Sequence, residues 1–295
     1  MTDTVLVAGA GPTGLALAIH LALHHIPVRV IDAAPGPITT SRALGLQPRG
    51  AEVLERIGAL GDLPSRSQTS LTMNYNDGPR TVLRFQVGKA VADMPKQTLL
   101  ISQTEIEGAL RERLAEVGGT IEWGARLVQA VQDGDHVTAT TEDGTTIEAQ
   151  WLVGCDGAHS AVRKLAGIAF PGRPLIQRLL MVDVRAHWPY DRNGSTTWMD
   201  SGHMLSVTAL PGDTWRVFTE PPDGLPDSLT QQEITERVLG EFSRRSGVST
   251  DTVEKVEWAS EFRIHRRLAE TYRRGRILLA GDAAHIQSPT GGQGQ

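Results

Sequence analysis

The sequence predicts an α/β protein in which a parallel sheet flanked by helices is interrupted by a second region built on a mostly antiparallel sheet. Three observations predict it. Short apolar runs without alternation recur at 5–8, 28–31, 151–154 and 276–280, the composition of strands buried on both faces. The first two runs bracket a helical segment over 15–25, which makes a strand–helix–strand unit. Between 174 and 261 the pattern changes to strand-like alternation broken by turns.

The first unit carries the strongest motif. Gly9-Ala10-Gly11-Pro12-Thr13-Gly14 follows the first apolar run at once and supplies GxGxxG spacing, and Asp32 ends the second run. Strand before, helix after and a carboxylate about 20 residues on are what dinucleotide binding requires. Gly9 allows the tight turn, Gly11 lets the backbone approach a pyrophosphate, and Gly14 lets helix and strand pack closely. The helix start offers unpaired N–H groups and the positive dipole end to phosphates. Asp32 accepts hydrogen bonds from a ribose diol. A signal peptide or membrane helix is excluded for this apolar stretch, because three glycines and a proline fall within six residues and no basic residue precedes it.

The rest of the chain follows in order. Residues 33–50 read as a loop, with Pro48 as the first-turn proline of a helix reaching Gly58. Residues 61–79 read as polar and turn-rich, and Thr81–Val87 as a strand. A strand over Leu99–Ile101 leads into a helix over Thr104–Val117, which Gly118-Gly119 ends. Asp133-Gly134 and Asp143-Gly144 mark hairpin turns of a small antiparallel meander within 120–154. After Pro171–Pro174 the β-rich block begins, with Trp188, Trp198 and Trp215 and a helix near Thr230–Ser243. These tryptophans read equally as sheet core or as walls of an aromatic pocket. The expected boundaries are 1–72, 98–173 and 262–295 for the nucleotide domain, and 73–97 with 174–261 for the second domain.

Composition removes several classes. Of 295 residues, 29 are Lys or Arg and 34 Asp or Glu, a formal net charge of −5 without a basic stripe, which argues against nucleic-acid binding. The short clusters at Arg244-Arg245, Arg263–Arg267 and Arg273–Arg276 read as solvated faces. The single cysteine, Cys155, rules out an internal disulfide framework and a multi-cysteine metal site, and reads as a small buried residue. His20, His24 and His25 read as surface histidines, so no metal site is expected. Without a secretory signal or a membrane span, a cytoplasmic location is expected.

Two more acidic glycine motifs follow buried strands: Gly154-Cys155-Asp156-Gly157 and Gly281-Asp282-Ala283-Ala284-His285, the latter running on to Pro289-Thr290-Gly291-Gly292-Gln293-Gly294. Each sets a carboxylate at the C-terminal end of a strand, where open α/β sheets bind ligands. His159 and His285 beside them read as packing or hydrogen-bonding residues.

With these stretches in order, the chain resembles the FAD-dependent aromatic hydroxylases, the single-component flavoprotein monooxygenases related to p-hydroxybenzoate and phenol hydroxylase. GAGPTG with Asp32, SRALGLQPRGAEVLERIG, Gln103 with Glu107, CDGAHSAVRK and YRRGRILLAGDAAHIQSPTGGQGQ carry the resemblance. It implies a Rossmann-like FAD-binding domain with an inserted, mostly antiparallel β-sheet substrate domain. It implies FAD at Gly9, Gly11, Pro12, Thr13 and Gly14, with Asp32 on the adenosine ribose. Arg42 and Gln103 match positions along the flavin's phosphate and ribityl region, as do Gly281 and Asp282, and Asp156 is linked to FAD and NAD(P)H alike. Pro289, Gly291, Gly292 and Gln293 match the catalytic stretch, with the Gly292–Gly294 amides beside the N1–C2=O edge of the flavin, where the reduced ring carries charge.

The implied activity uses NADH or NADPH and O2 to hydroxylate a small aromatic substrate (phenolic, polyketide or antibiotic) through a C4a-hydroperoxyflavin. Neither nucleic acid nor membrane is an expected partner, and a homodimer is compatible with the resemblance. A Baeyer–Villiger or halogenating flavoenzyme on this scaffold, or a protein that keeps FAD without turnover, is the alternative. The halogenase motif WxWxIP is absent. In the family the GGQG turn opens a helix and the chain continues beyond it. The end at Gln295 therefore predicts a fragment of a longer protein, or failing that a short form with impaired flavin binding.

Overall fold

The computed structural model describes residues 4–39, 45–68, 71–87, 96–210, 213–221, 224–226 and 228–287, with side chains described throughout except at 87, 173–177 and 262–265. In chain order come β1 (Val5–Ala8), α1 (Pro12–Leu23), β2 (Val28–Asp32), α2 (Pro48–Arg56), α3 (Leu63–Arg66), β3 (Leu71–Asp77) and β4 (Arg80–Val87). Next are α4 (Gln103–Glu116), β5 (Ile121–Trp123), β6 (Leu127–Gln132), β7 (Val137–Thr141), β8 (Thr146–Ala149), β9 (Trp151–Gly154) and α5 (Ala161–Leu165). The remainder is β10 (Gly172–Ala186), β11 (Gly194–Asp200), β12 (His203–Ala209), β13 (Thr214–Thr219), α6 (Gln231–Ser246), β14 (Val253–Leu268), β15 (Arg273–Arg274), β16 (Ile277–Leu279) and β17 (His285–Ile286).

The chain forms two compact units, one of Met1–Ser67, Ala92–Arg173 and His265–Gln295, the other of Gln68–Val91 and Pro174–Ile264. In the first, a six-stranded sheet runs β15-β16-β9-β1-β2-β5. The central strand β1 lies parallel to both neighbours, with Leu6 opposite Arg29 on β2 and Leu152 on β9. Successive side chains of a strand point to opposite faces, and here both faces are covered. Val5 and Val7 join Leu15 and Ile19 of α1, Leu54 of α2 and Leu110 and Leu114 of α4. Leu6 and Ala8 join Val162 of α5 and Val137, Ala139 and Ile147 of the separate antiparallel sheet β6-β7-β8. Double burial is why β1 reads as an unbroken apolar run.

In the second unit the strand order is β14-β10-β13-β12-β11-β3-β4; the pairs from β10 to β11 and the pair β3 with β4 are antiparallel, and β3 runs parallel to β11. The helix α6 opens on a capping box, Thr230 with Glu233, and ends on Gly247 at φ 72°. It covers one face of the sheet, where Trp188, Trp198 and Trp215 pack with Phe242 and lie at 6%, 2% and 1% exposure. Each indole N–H donates within the unit, to Thr252 Oγ1, the Gly78 carbonyl and the Ala186 carbonyl respectively. That decides the open reading of the tryptophans: they are sheet core.

Three sequence expectations need correction. Residues 61–79 hold the short helix α3 and the strand β3. Leu99 bridges Leu46, and among the described residues the segment over 99–101 enters none of the three sheets, its apolar side chains being buried by packing. Arg245 is buried, donating to Glu241 and to the His203 carbonyl. Among the described residues no helix is long and apolar enough to cross a membrane.

Candidate nucleotide site

The turn between β1 and α1 is built by three glycines with three different constraints. Gly9 sits at φ +108°, and a Cβ there would lie 2.3 Å from the Cys155 carbonyl oxygen. A Cβ at Gly14 would lie 1.9 Å from the Gly9 carbonyl oxygen. Gly11, the N-cap of α1, has an ordinary extended backbone (φ −76°, ψ −179°), and a Cβ there would meet nothing within 4 Å. Folding thus demands glycine at 9 and 14, whereas at 11 the missing side chain leaves open space. Pro12 takes the first helical position, Thr13 and Gly14 complete the turn, and no side chain caps the helix start.

This turn borders a cavity of about 400 Å³. Gly9, Gly11, Asp32, Gln103 and Asp156 all line it. Asp32, at the end of β2, accepts from the Ala10 N–H through Oδ2 and from the Ala34 N–H through Oδ1, both at 2.7 Å. Its carboxylate therefore ties the glycine turn to the strand end as well as facing the cavity. Asp156 accepts from the N–H groups of Ala161 and Val162 through Oδ2, at 2.7 and 3.0 Å, while its buried Oδ1 has no hydrogen-bond partner. Beside it, burial pushes the Cys155 thiol up to about 12, with the Asp156 charge adding to the effect.

Gly281 backs onto the first turn of α1, where its Cβ would lie 2.6 Å from Thr13 Oγ1. Asp282 follows with its side chain open to solvent, yet partial burial of the carboxyl raises its pKa, against the opposing charge of His285. Asp282 is not among the residues lining the cavity. Arg42 and the C-terminal Pro289, Gly291, Gly292, Gln293 and Gly294 lie outside the described residues. Among the described residues no group of three His, Cys, Asp or Glu side chains is arranged to hold a metal ion.

Sequence reasoning missed how much of the wall comes from other elements. Glu107 of α4, 3% exposed, lines the cavity together with Trp123, Arg126 and His159. Its signal was present in the spacing, since Gln103 and Glu107 stand one helical turn apart on one face.

Open space at Gly11, an uncapped helix start and an unpartnered buried acceptor on Asp156 suit a ligand with phosphates and hydroxyl donors. The fold and the cavity define a dinucleotide-binding α/β protein. Residues 2–295 match the family described as FAD binding domain. The chain is 36% identical to 6-methylpretetramide 4-monooxygenase of Streptomyces rimosus, over 98% of this chain and 52% of the relative. It is 35% identical to rifampicin monooxygenase of Streptomyces venezuelae, over 98% of this chain and 60% of the relative. Among solved structures, aklavinone-11 hydroxylase in ternary complex with FAD and aklavinone superposes with a TM-score of 0.85 at 26% identity, covering 99% of this chain and 59% of that one. The chain belongs to the FAD-dependent aromatic hydroxylases. It spans between 52% and 60% of the length of these relatives.

Proposed function

We propose that the chain carries the FAD site and a substrate region of an aromatic monooxygenase that consumes NAD(P)H and O2. Its substrate is a small phenolic, polyketide or antibiotic-type ring. The names of its relatives, a pretetramide and a rifampicin monooxygenase, support that substrate class. The observation that carries the FAD assignment is Gly11, a glycine that neither backbone angle nor packing requires, set at an uncapped helix start.

In this reading the N–H groups at the start of α1, over Gly11, Pro12, Thr13 and Gly14, receive the pyrophosphate, with Pro12 supplying the preset backbone angle instead of a donor. Asp32 accepts from the adenosine ribose while its bonds to Ala10 and Ala34 hold the turn. Asp156 Oδ1 gains the donor it lacks. Gln103 and Asp282 flank the ribityl and phosphate region, joined by Arg42, and the amides of Gly292–Gly294 stabilise negative charge on the reduced ring. When bound, FAD supplies the redox chemistry, accepting a hydride from NAD(P)H and activating O2 to deliver one oxygen atom to the ring and the other to water. The chain's own part is position, electrostatics and exclusion of water.

Replacement of Gly11 by Ala or Val tests the assignment. Both variants should melt as the wild type does, since the backbone is extended and the space is open. Their FAD affinity, read by quenching of flavin fluorescence, should fall by at least about tenfold. Unchanged affinity in the folded valine variant would contradict the assignment.

A further inference from the structure

Glu107 is a carboxylate that the packing of α4 does not need. It lies 3% exposed between Ile106 and Leu110, both buried apolar residues. A leucine or glutamine would serve the helix there, and burying an ionised carboxylate costs free energy unless it is well paired. Its pairing is incomplete: Arg111 Nη1 stands 3.6 Å from Oε2, beyond hydrogen-bond length, and that nitrogen is itself buried without a hydrogen-bond partner. The close contact is with a neutral group, as Gln103 Nε2 donates to Glu107 Oε1 at 2.8 Å. Both side chains line the cavity.

An amide side chain can present either its oxygen or its nitrogen, and an ionised carboxylate only accepts. Glu107 therefore decides which end of the Gln103 amide turns toward it. We propose that Glu107 is a positioning residue of the cofactor site, holding the Gln103 amide with its nitrogen inward so that Gln103 meets the cofactor in one fixed orientation. The proposal rests on the reading that FAD occupies this cavity.

A double-mutant cycle tests it, with FAD affinity measured for the wild type, Glu107→Leu, Glu107→Gln, Gln103→Ala and the Leu/Ala double variant. Glu107→Leu and Gln103→Ala should each weaken binding by up to about tenfold, the scale of one hydrogen bond. The double variant should be no weaker than Gln103→Ala, and Glu107→Gln, whose amide can donate as well as accept and so no longer fixes the Gln103 orientation, should fall between wild type and Glu107→Leu. In the cofactor-free protein, the Gln103 side-chain amide resonances, identified by their loss in Gln103→Ala, should move in Glu107→Leu. Losses that multiply in the double variant, or Glu107→Leu with wild-type affinity, would overturn the proposal while leaving the FAD reading intact. A folded wild type that binds no FAD would overturn both.

Discussion

Gly9 and Gly14 hold the turn at the head of the sheet together from inside, and Gly11 leaves it open from outside. An alanine at 14 would drive its Cβ against the Gly9 carbonyl. We therefore expect Gly14→Ala to cost about 1–3 kcal/mol of stability in urea unfolding, in contrast to Gly11→Ala, which should cost almost none. Glu107 has its own signature. Burial raises its carboxyl pKa, the Gln103 hydrogen bond and the Arg111 charge oppose the rise, and the Asp32 charge adds to it. A raised native pKa means that the folded protein binds this proton more tightly than the unfolded chain. The stability it contributes is present below the ordinary carboxylate range and is lost as pH rises through the raised value. Glu107→Gln should therefore raise the melting temperature at neutral pH, and the gap to wild type should close as pH falls into the ordinary range. At this scale the sequence singled out Gly9, Gly11 and Asp32, and all three line the cavity. It was silent on the ties of Asp32 to Ala10 and Ala34, because backbone partners leave no mark in composition.

Helices with a defined start and an apolar face were readable as elements. The capping box of α6 is written in Thr230 and Glu233, and Thr230→Ala should cost about 1 kcal/mol. Phe242, on the inner face of that helix, stacks on Trp188 with ring centroids 4.2 Å apart, and its exposure is 0%. Phe242→Ala should cost about 3–5 kcal/mol in denaturant unfolding. The strand β3 was not readable, for a physical reason. Leu71, Met73 and Tyr75 alternate with Thr72, Asn74 and Asn76, yet the buried position is the polar Asn74, at 7% exposure with a hydrogen bond from Arg84 on β4, and asparagine and aspartate read as turn residues. The opposite error came at Leu99–Ile101, where burial against helices gives the same apolar run as burial within a sheet. Short apolar runs report burial, and only partners distinguish a strand.

For the whole molecule, the pattern changes near Pro171–Pro174, because a half-buried antiparallel sheet alternates and a doubly covered parallel sheet does not, and the second unit resumes at Pro174 after its first segment at 68–91. The pairing of β3 with β11, far apart in sequence, was beyond local pattern. Gly9, Gly11, Asp32 and Asp156, which stand out in the sequence, line the cavity, whereas the wall contributed by Trp123, Arg126 and Glu107 depends on how distant elements fold together. On the proposed reading these residues hold FAD where a nicotinamide reduces it. A visible spectrum of the purified chain saturated with FAD, followed by anaerobic addition of NADH and then NADPH, tests it most directly. The expected result is a bound-flavin spectrum at one FAD per chain that bleaches with one of the two nicotinamides. A folded chain whose spectrum stays that of free FAD would contradict it.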